Sequence, residues 1–159
     1  VDTLIEFARV EEGARAYCFR AIEYGAFFRQ VLESFSAEAQ AAGYSISAQL
    51  PSEDATGQGD HDALARALHN LLLNAMQYSP DCRTIWFEAH REGTSMVIAV
   101  RDRGIGVPDR EKRRIFRKFA RGSNASAVRH QGSGIGLSIV EHVVRAHRGS
   151  IRLESAWGK

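Results

Sequence analysis

Asp102-Arg103-Gly104-Ile105-Gly106-Val107-Pro108 is the segment from which the fold is most readily inferred. A carboxylate closes a strand and is followed at once by two glycines and a proline. Upstream of it, Arg83 to Arg91 and Thr94 to Asp102 read as two strands, with Glu92-Gly93 as the tight turn of a hairpin. Downstream, Pro108 to Ile115 reads as a short helix, and the Ser/Asn/Gly-rich stretch 121–132 as a polar loop. Gly134 to His147 then reads as a helix and Ser150 to Ser155 as a final strand.

The N-terminal half mixes the same two periods. Asp2 to Glu12 places Leu4, Ile5 and Ala8 at helical spacing, and Ala16 to Tyr24 alternates as a strand does. Gly25 to Ala42 reads as a helix with Phe27, Phe28, Val31, Leu32 and Phe35 on its inner side. Gly43 supplies its stop, and Tyr44 to Leu50 alternates again. Pro51 to Gly59 reads as a polar turn. Asp60 is placed to cap a helix running to about Tyr78, with Pro80 just beyond its end. Leu64, Leu68, Leu71 and Ala75 form the apolar stripe of that helix. Strands and helices do not alternate strictly. The expected fold class is therefore α+β: a two-layer sandwich of a mixed, largely antiparallel sheet backed by helices.

Bulk composition bounds the function. The chain has 159 residues, 44% hydrophobic and 25% charged, which suits one globular domain with a real core. A net charge of +2 is too mild to argue for nucleic acid. Cys18 and Cys82 form neither a metal-ligand spacing nor a disulfide framework, and suit a reducing cytosol. No apolar run approaches the ~18 residues of a membrane span. Both ends read as cuts through a longer protein.

Three groups of residues carry chemistry. Asn70 and Asn74 stand at i and i+4, so their carboxamides share one helix face, and Gln77 and Tyr78 continue it. Asn is disfavoured inside helices, while a carboxamide oxygen is a hard neutral ligand suited to Mg²⁺. Read alone, the pair also suits two amides facing water or capping a neighbouring backbone. Asp102 can accept a hydrogen bond from an exocyclic amine, with Gly104 and Gly106 admitting a close ligand. Alone, it also reads as a solvated Asp in a strand-to-helix turn. Gly132-Ser133-Gly134-Ile135-Gly136-Leu137 opens a helix whose free N–H groups suit phosphate. It also reads as a flexible linker, and it lacks the ending of a P-loop. The basic run Arg110, Lys112, Arg113, Arg114, Arg117, Lys118 and Arg121 reads chiefly as a solvated face. Phe116 and Phe119 are placed to dock that segment on the core.

In order, these segments resemble the catalytic ATP-binding domain of sensor histidine kinases, in the GHKL superfamily. His69-Asn70-Leu71-Leu72-Leu73-Asn74-Ala75 resembles its N box, and Asp102 to Pro108 its first glycine box. Ile115-Phe116-Arg117-Lys118-Phe119-Ala120-Arg121 is similar to the F box. Gly132 to Val140 resembles the second glycine box. Thr3 to Glu11 is similar to the end of the second helix of a dimerisation domain. Two segments are thereby implied: residues 1–14 as a remnant of that helix with its linker, and 15–159 as the kinase domain, cut at its last strand.

The resemblance implies the Bergerat fold, with ATP between the N-box helix and a mobile lid. It implies that Asn74 ligates Mg²⁺, that Asn70 supports metal and phosphates, and that Tyr78 lies along the nucleotide. Asp102 would contact the adenine amine, with Gly104 and Gly106 shaping the pocket. Arg121 would approach the terminal phosphate. Gly132, Gly134 and Gly136, with Leu137 following, would carry the lid hinge and the phosphate-binding helix start. Gln77 departs from the family's usual Lys or Arg, and the phosphoacceptor histidine motif is absent.

The implied activity is protein-histidine kinase: the γ-phosphate of ATP passes to a histidine on a separate dimerisation domain, with a response regulator downstream. The parent is expected to be a homodimer, this domain cytoplasmic and free of membrane contact, and the chain alone an ATP binder that does not autophosphorylate. Two alternatives stand beside it. A GHKL ATPase would carry a Glu where Asn70 stands, as general base on water. A non-catalytic nucleotide-binding module is the other, with Gln77 in its favour.

Overall fold

Two amphipathic helices carrying most of the large apolar side chains, and a hairpin of alternating pattern, set the architecture. The computed structural model describes residues 17–52, 55–117 and 134–156. The element order is β1 (Arg20–Glu23), α1 (Tyr24–Ala41), β2 (Ser45–Gln49), β3 (Thr56–Gly59), α2 (His61–Tyr78), β4 (Thr84–Glu92), β5 (Ser95–Arg101) and α3 (Gly136–Ala146). The expected helix at 2–12, the boundary at residue 14 and the loop at 121–132 lie outside the described residues.

Helix α1 starts where the Glu23 side chain accepts the Ala26 N–H at 3.3 Å. Phe27, Phe28, Val31, Leu32, Phe35 and Ala39 are buried at helical spacing. It ends in a Schellman motif. Gly43 takes φ +79°, its N–H bonds to Gln40 C=O at 2.9 Å, and Tyr44 N–H reaches Ala39 C=O at 2.8 Å. Helix α2 is capped by Asp60, whose Oδ1 accepts the Ala63 N–H at 2.9 Å.

Strands β2 and β4 pair in parallel from Ser45↔Thr84 to Gln49↔Glu88. Strands β4 and β5 form the expected antiparallel hairpin, closing at Glu92↔Ser95. The inner residues of β4, Ile85, Phe87 and Ala89, meet Phe28, Phe35, Leu68, Leu72 and Ala75 in the main core. A second cluster joins Ala63 and Ala67 of α2 to Ile135, Ile139, Val140 and Val143 at α3. Helix α2 is thus buried on two sides, against α1 and the sheet on one and against α3 on the other. The α+β class stands, with helices on one face of a mixed sheet.

Four expectations are corrected. Residues 56–59 are not part of a turn: they form β3, which pairs antiparallel with β1 from Arg20↔Gly59 to Glu23↔Thr56. Thr-Gly-Gln-Gly has no apolar alternation, so its strand character comes from a partner over thirty residues away. Among the described residues, the strand expected over 16–24 is confined to Arg20–Glu23. Residues 108–115 do not form a helix. They make consecutive turns, with Glu111 N–H on Pro108 C=O (2.8 Å), Arg114 N–H on Glu111 C=O (2.8 Å) and Arg117 N–H on Arg114 C=O (2.9 Å). Helix nucleation is costly over so short a segment, and adjacent like charges at 112–114 add nothing to offset it. Residues 150–155 form no strand ladder among the described residues. Alternation makes a strand only where a neighbouring edge supplies backbone partners, and Ile151 is left 37% exposed.

Candidate functional site

Helix α2 brings the separated motifs together. Leu68, Leu72 and Ala75 bury one side of it, which leaves Asn70, Asn74, Gln77 and Tyr78 half-buried along another. From Asn70 to Tyr78 is about 12 Å at the helical rise. Each end of that line meets one of the glycine clusters.

At the Asn70 end lies the start of α3. A Cβ on Gly136 would stand 3.0 Å from Asn70 Oδ1, so the carboxamide and the first residue of α3 are in contact only because that residue is glycine. The N-cap, Ile135, gives the helix no side-chain cap. Ser138 does not serve either, because its Oγ donates to Ile135 C=O at 2.7 Å. Among the described residues no side chain accepts from the first-turn N–H groups of α3, which lie at the positive end of the helix dipole. Gly134 takes φ +70° just before it, and Leu137 is half-buried in the first turn.

At the Tyr78 end lies the Asp102 turn. Ile105 N–H bonds to Tyr78 C=O at 3.0 Å. A Cβ on Gly104 would come within 2.8 Å of the Tyr78 carbonyl carbon; no other residue type permits this approach. Asp102 Oδ1 accepts the Gly104 N–H at 2.8 Å and the Ser79 hydroxyl at 3.0 Å. Gly106 takes φ +73°, and Val107 N–H donates to Ser155 Oγ at 2.8 Å. The Arg103 guanidinium sits 5.3 Å from the Trp86 ring centroid, so the motif's one cation is engaged on β4.

The structure therefore unites Asn70, Asn74, Gln77, Tyr78, Asp102, Gly104, Gly106, Gly134, Gly136 and Leu137 along one helix and its two ends. Arg121 and Gly132 lie outside the described residues. Chemically the arrangement offers three amide oxygens, one carboxylate and a row of backbone donors. Among the described residues no trio of His, Cys, Asp or Glu could hold a metal, so a cation here would depend on carboxamides and on the oxygens of its own ligand. A separate concavity of about 410 Å³, lined by residues 49–52 and 88–91, holds one carboxamide, Gln49, and one carboxylate, Glu88, but none of the residues named above. It has no helix end and no carboxamide pair, and we place the site along α2 on chemistry rather than on depth.

Sequence reasoning missed Ser79. It is fully buried and touches Asp102, yet before Pro80 it reads only as a helix stop. It also missed His147, whose Nε2 accepts the Asp60 N–H at 2.9 Å.

A family model described as histidine kinase-, DNA gyrase B-, and HSP90-like ATPase matches residues 59–159. Sensor-like histidine kinase SenX3 of Mycobacterium tuberculosis (strain ATCC 25618 / H37Rv) is 33% identical over 159 residues, covering 100% of this chain and 38% of SenX3. The chain thus spans well under half of that relative's length. Among solved structures, full-length ShkA in complex with AMPPNP aligns with TM-score 0.76 and 25% identity, over 91% of this chain and 30% of ShkA. The catalytic domain of histidine kinase ThkA aligns with TM-score 0.69 over 81% of each chain, and at 21% identity speaks for the fold.

Proposed function

The chain belongs to the histidine kinase-, DNA gyrase B- and HSP90-like ATPase family, and on that premise we propose that it is the ATP-binding catalytic domain of a two-component sensor histidine kinase. One observation carries this reading: a single helix, α2, presents Asn70 to the uncapped start of α3 and holds the Asp102 turn at its other end. That spacing suits a nucleotide lying along the helix, adenine at Asp102 and phosphates at α3. The SenX3 relationship over the whole chain supports a kinase rather than another member of the family.

In this mechanism Asp102 accepts a hydrogen bond from the exocyclic amine of adenine, and Gly104 and Gly106 admit the ring. Tyr78 lies along the nucleoside. The first-turn N–H groups of α3, after the hinge glycines 132 and 134, hold phosphate oxygens. Asn74 would hold Mg²⁺ by its carboxamide oxygen, and Asn70 would support it beside Gly136. When bound, the cation would neutralise phosphate charge. Gln77 donates hydrogen bonds without charge. Arg121 would supply positive charge to the γ-phosphate. A neutral imidazole nitrogen on a separate dimerisation domain attacks the γ-phosphorus, the bond to the ADP oxygen breaks, and ADP leaves. A response regulator then takes the phosphoryl group, and the parent works as a cytoplasmic kinase domain on a homodimer. Residues 1–14 would close the dimerisation helix and 15–159 form this domain. No helix among the described residues is long and apolar enough to cross a membrane.

The ATPase alternative is disfavoured at Asn70, whose amide cannot take a proton from water. Calorimetric titration with ATP and a non-hydrolysable analogue, with and without Mg²⁺, tests the proposal. Saturable binding strengthened by Mg²⁺ is expected; absence of binding overturns it. Steady ATP hydrolysis by the chain alone would favour the ATPase.

A further inference from the structure

We infer that Ser79 is a positioning residue for base recognition: its hydroxyl holds one oxygen of the Asp102 carboxylate so that the other faces the purine amine. The inference rests on the assignment of Asp102 to adenine made above.

The side chain of Ser79 has nowhere else to go. It is 0% exposed, and a buried hydroxyl without a partner is costly. Its hydroxyl donates to Asp102 Oδ1 at 3.0 Å. Its backbone is held from two directions. As C-cap of α2 it leaves the helix at φ −118°, ψ 61°, and its carbonyl accepts the Tyr44 hydroxyl at 3.0 Å. Tyr44 is itself covered by the Arg83 guanidinium, 5.5 Å from its ring centroid, and Arg83 is tied to Ala42 C=O at 2.7 Å. Pro80 removes the freedom that remains. The hydroxyl is thus aimed by Tyr44, just before β2, and by the end of α2 together, not by local preference.

Both donors to Asp102, Ser79 Oγ and Gly104 N, converge on Oδ1. Among the described residues no donor reaches Oδ2. Two bonds on one oxygen fix the plane of the carboxylate and leave the second oxygen toward solvent, where an amine donor would be met. Gly104 alone would leave the plane free to turn, because its N–H and the carboxylate belong to the same short turn. Ser79 is the fixed point outside that turn.

The test is competition binding on the full chain with two probes: ATP, and purine riboside triphosphate, which lacks the exocyclic amine. Wild type should prefer ATP, and Asp102→Asn should erase that preference. Ser79→Ala should weaken ATP about tenfold, the scale of one hydrogen bond to a charged group, while purine riboside triphosphate stays within about twofold. Ser79→Thr should restore ATP. Should Ser79→Ala fail to fold, Ser79→Cys, close in size with a weak donor, must show the same amine-selective loss. Equal weakening of both probes, or no change in either, overturns the inference and leaves Asp102 in place if Asp102→Asn still loses discrimination. If wild type and Asp102→Asn treat the two probes alike, the Asp102 assignment falls and the inference falls with it.

Discussion

Asn74 and Leu72 stand two residues apart on α2 and should behave as opposites. Leu72 is fully buried in the main core, so Leu72→Ala should cost about 2–5 kcal/mol of stability through a cavity, read by urea denaturation. Asn74 is half-buried on the site side. Asn74→Ala should leave stability within about 0.5 kcal/mol and remove the Mg²⁺-dependent part of ATP binding, read by calorimetry. A variant that bound ATP with unchanged Mg²⁺ dependence would end the metal assignment. Two glycines divide in the same way. Gly104→Ala pushes a methyl against the Tyr78 carbonyl, which belongs to the backbone and cannot yield; a loss of about 1–3 kcal/mol is expected. Gly136→Ala meets only the Asn70 carboxamide, which can turn away. Its stability should hold, because Ala favours helix, while nucleotide affinity drops. The reactive types were legible in the sequence because polar residues stood where apolar ones would pack better. Ser79 was not, because its role depends on a carboxylate 23 residues away.

Elements were legible where their ends carried their own chemistry. Asp60 and Gly43 announced a start and a stop, and both work as read. The illegible elements lacked local signals: β3 is a strand only because β1 lies beside it, and 108–115 carried a helical pattern too short to nucleate. What Asp60 does beyond capping was equally hidden. Its Oδ2 accepts the Cys18 N–H at 2.9 Å, and its own N–H donates to His147 Nε2 at 2.9 Å. That nitrogen must then be unprotonated, so the proton sits on Nδ1, which donates to Val143 C=O at 2.8 Å. One residue thus ties the segment before β1, the start of α2 and the end of α3. Asp60→Asn keeps an acceptor for the cap and should cost about 1 kcal/mol. Asp60→Asn then sets its NH₂ against the Cys18 N–H, so both variants lose that tie, and Asp60→Ala, which loses the cap as well, should cost about 2–3 kcal/mol. Equal unfolding midpoints for the two variants would mean that the cap contributes nothing.

At the scale of the molecule, α2 is both core and site, and that arrangement separates stability from turnover. A ligand that binds only the folded form stabilises it by about 2.7 kcal/mol at a hundredfold excess over its dissociation constant. ATP with Mg²⁺ should therefore raise the unfolding temperature of the chain, and of Gly136→Ala less. Binding should not lead to self-phosphorylation. His147 is engaged at both ring nitrogens. His61 packs on Phe27 and His69 on Phe35, both on the α1 side of α2, across the helix from the Asn70 line. His142 stacks on Tyr17. Among these four, His147 has no free ring nitrogen, and the ring contacts of His61 and His69 lie on the α1 side of α2. With γ-labelled ATP the chain alone should acquire no acid-labile label, and should transfer label when a dimerisation domain bearing the acceptor histidine is added. Label on the isolated chain would show that a histidine of its own reaches the phosphate, and the division of labour between two domains would have to be abandoned.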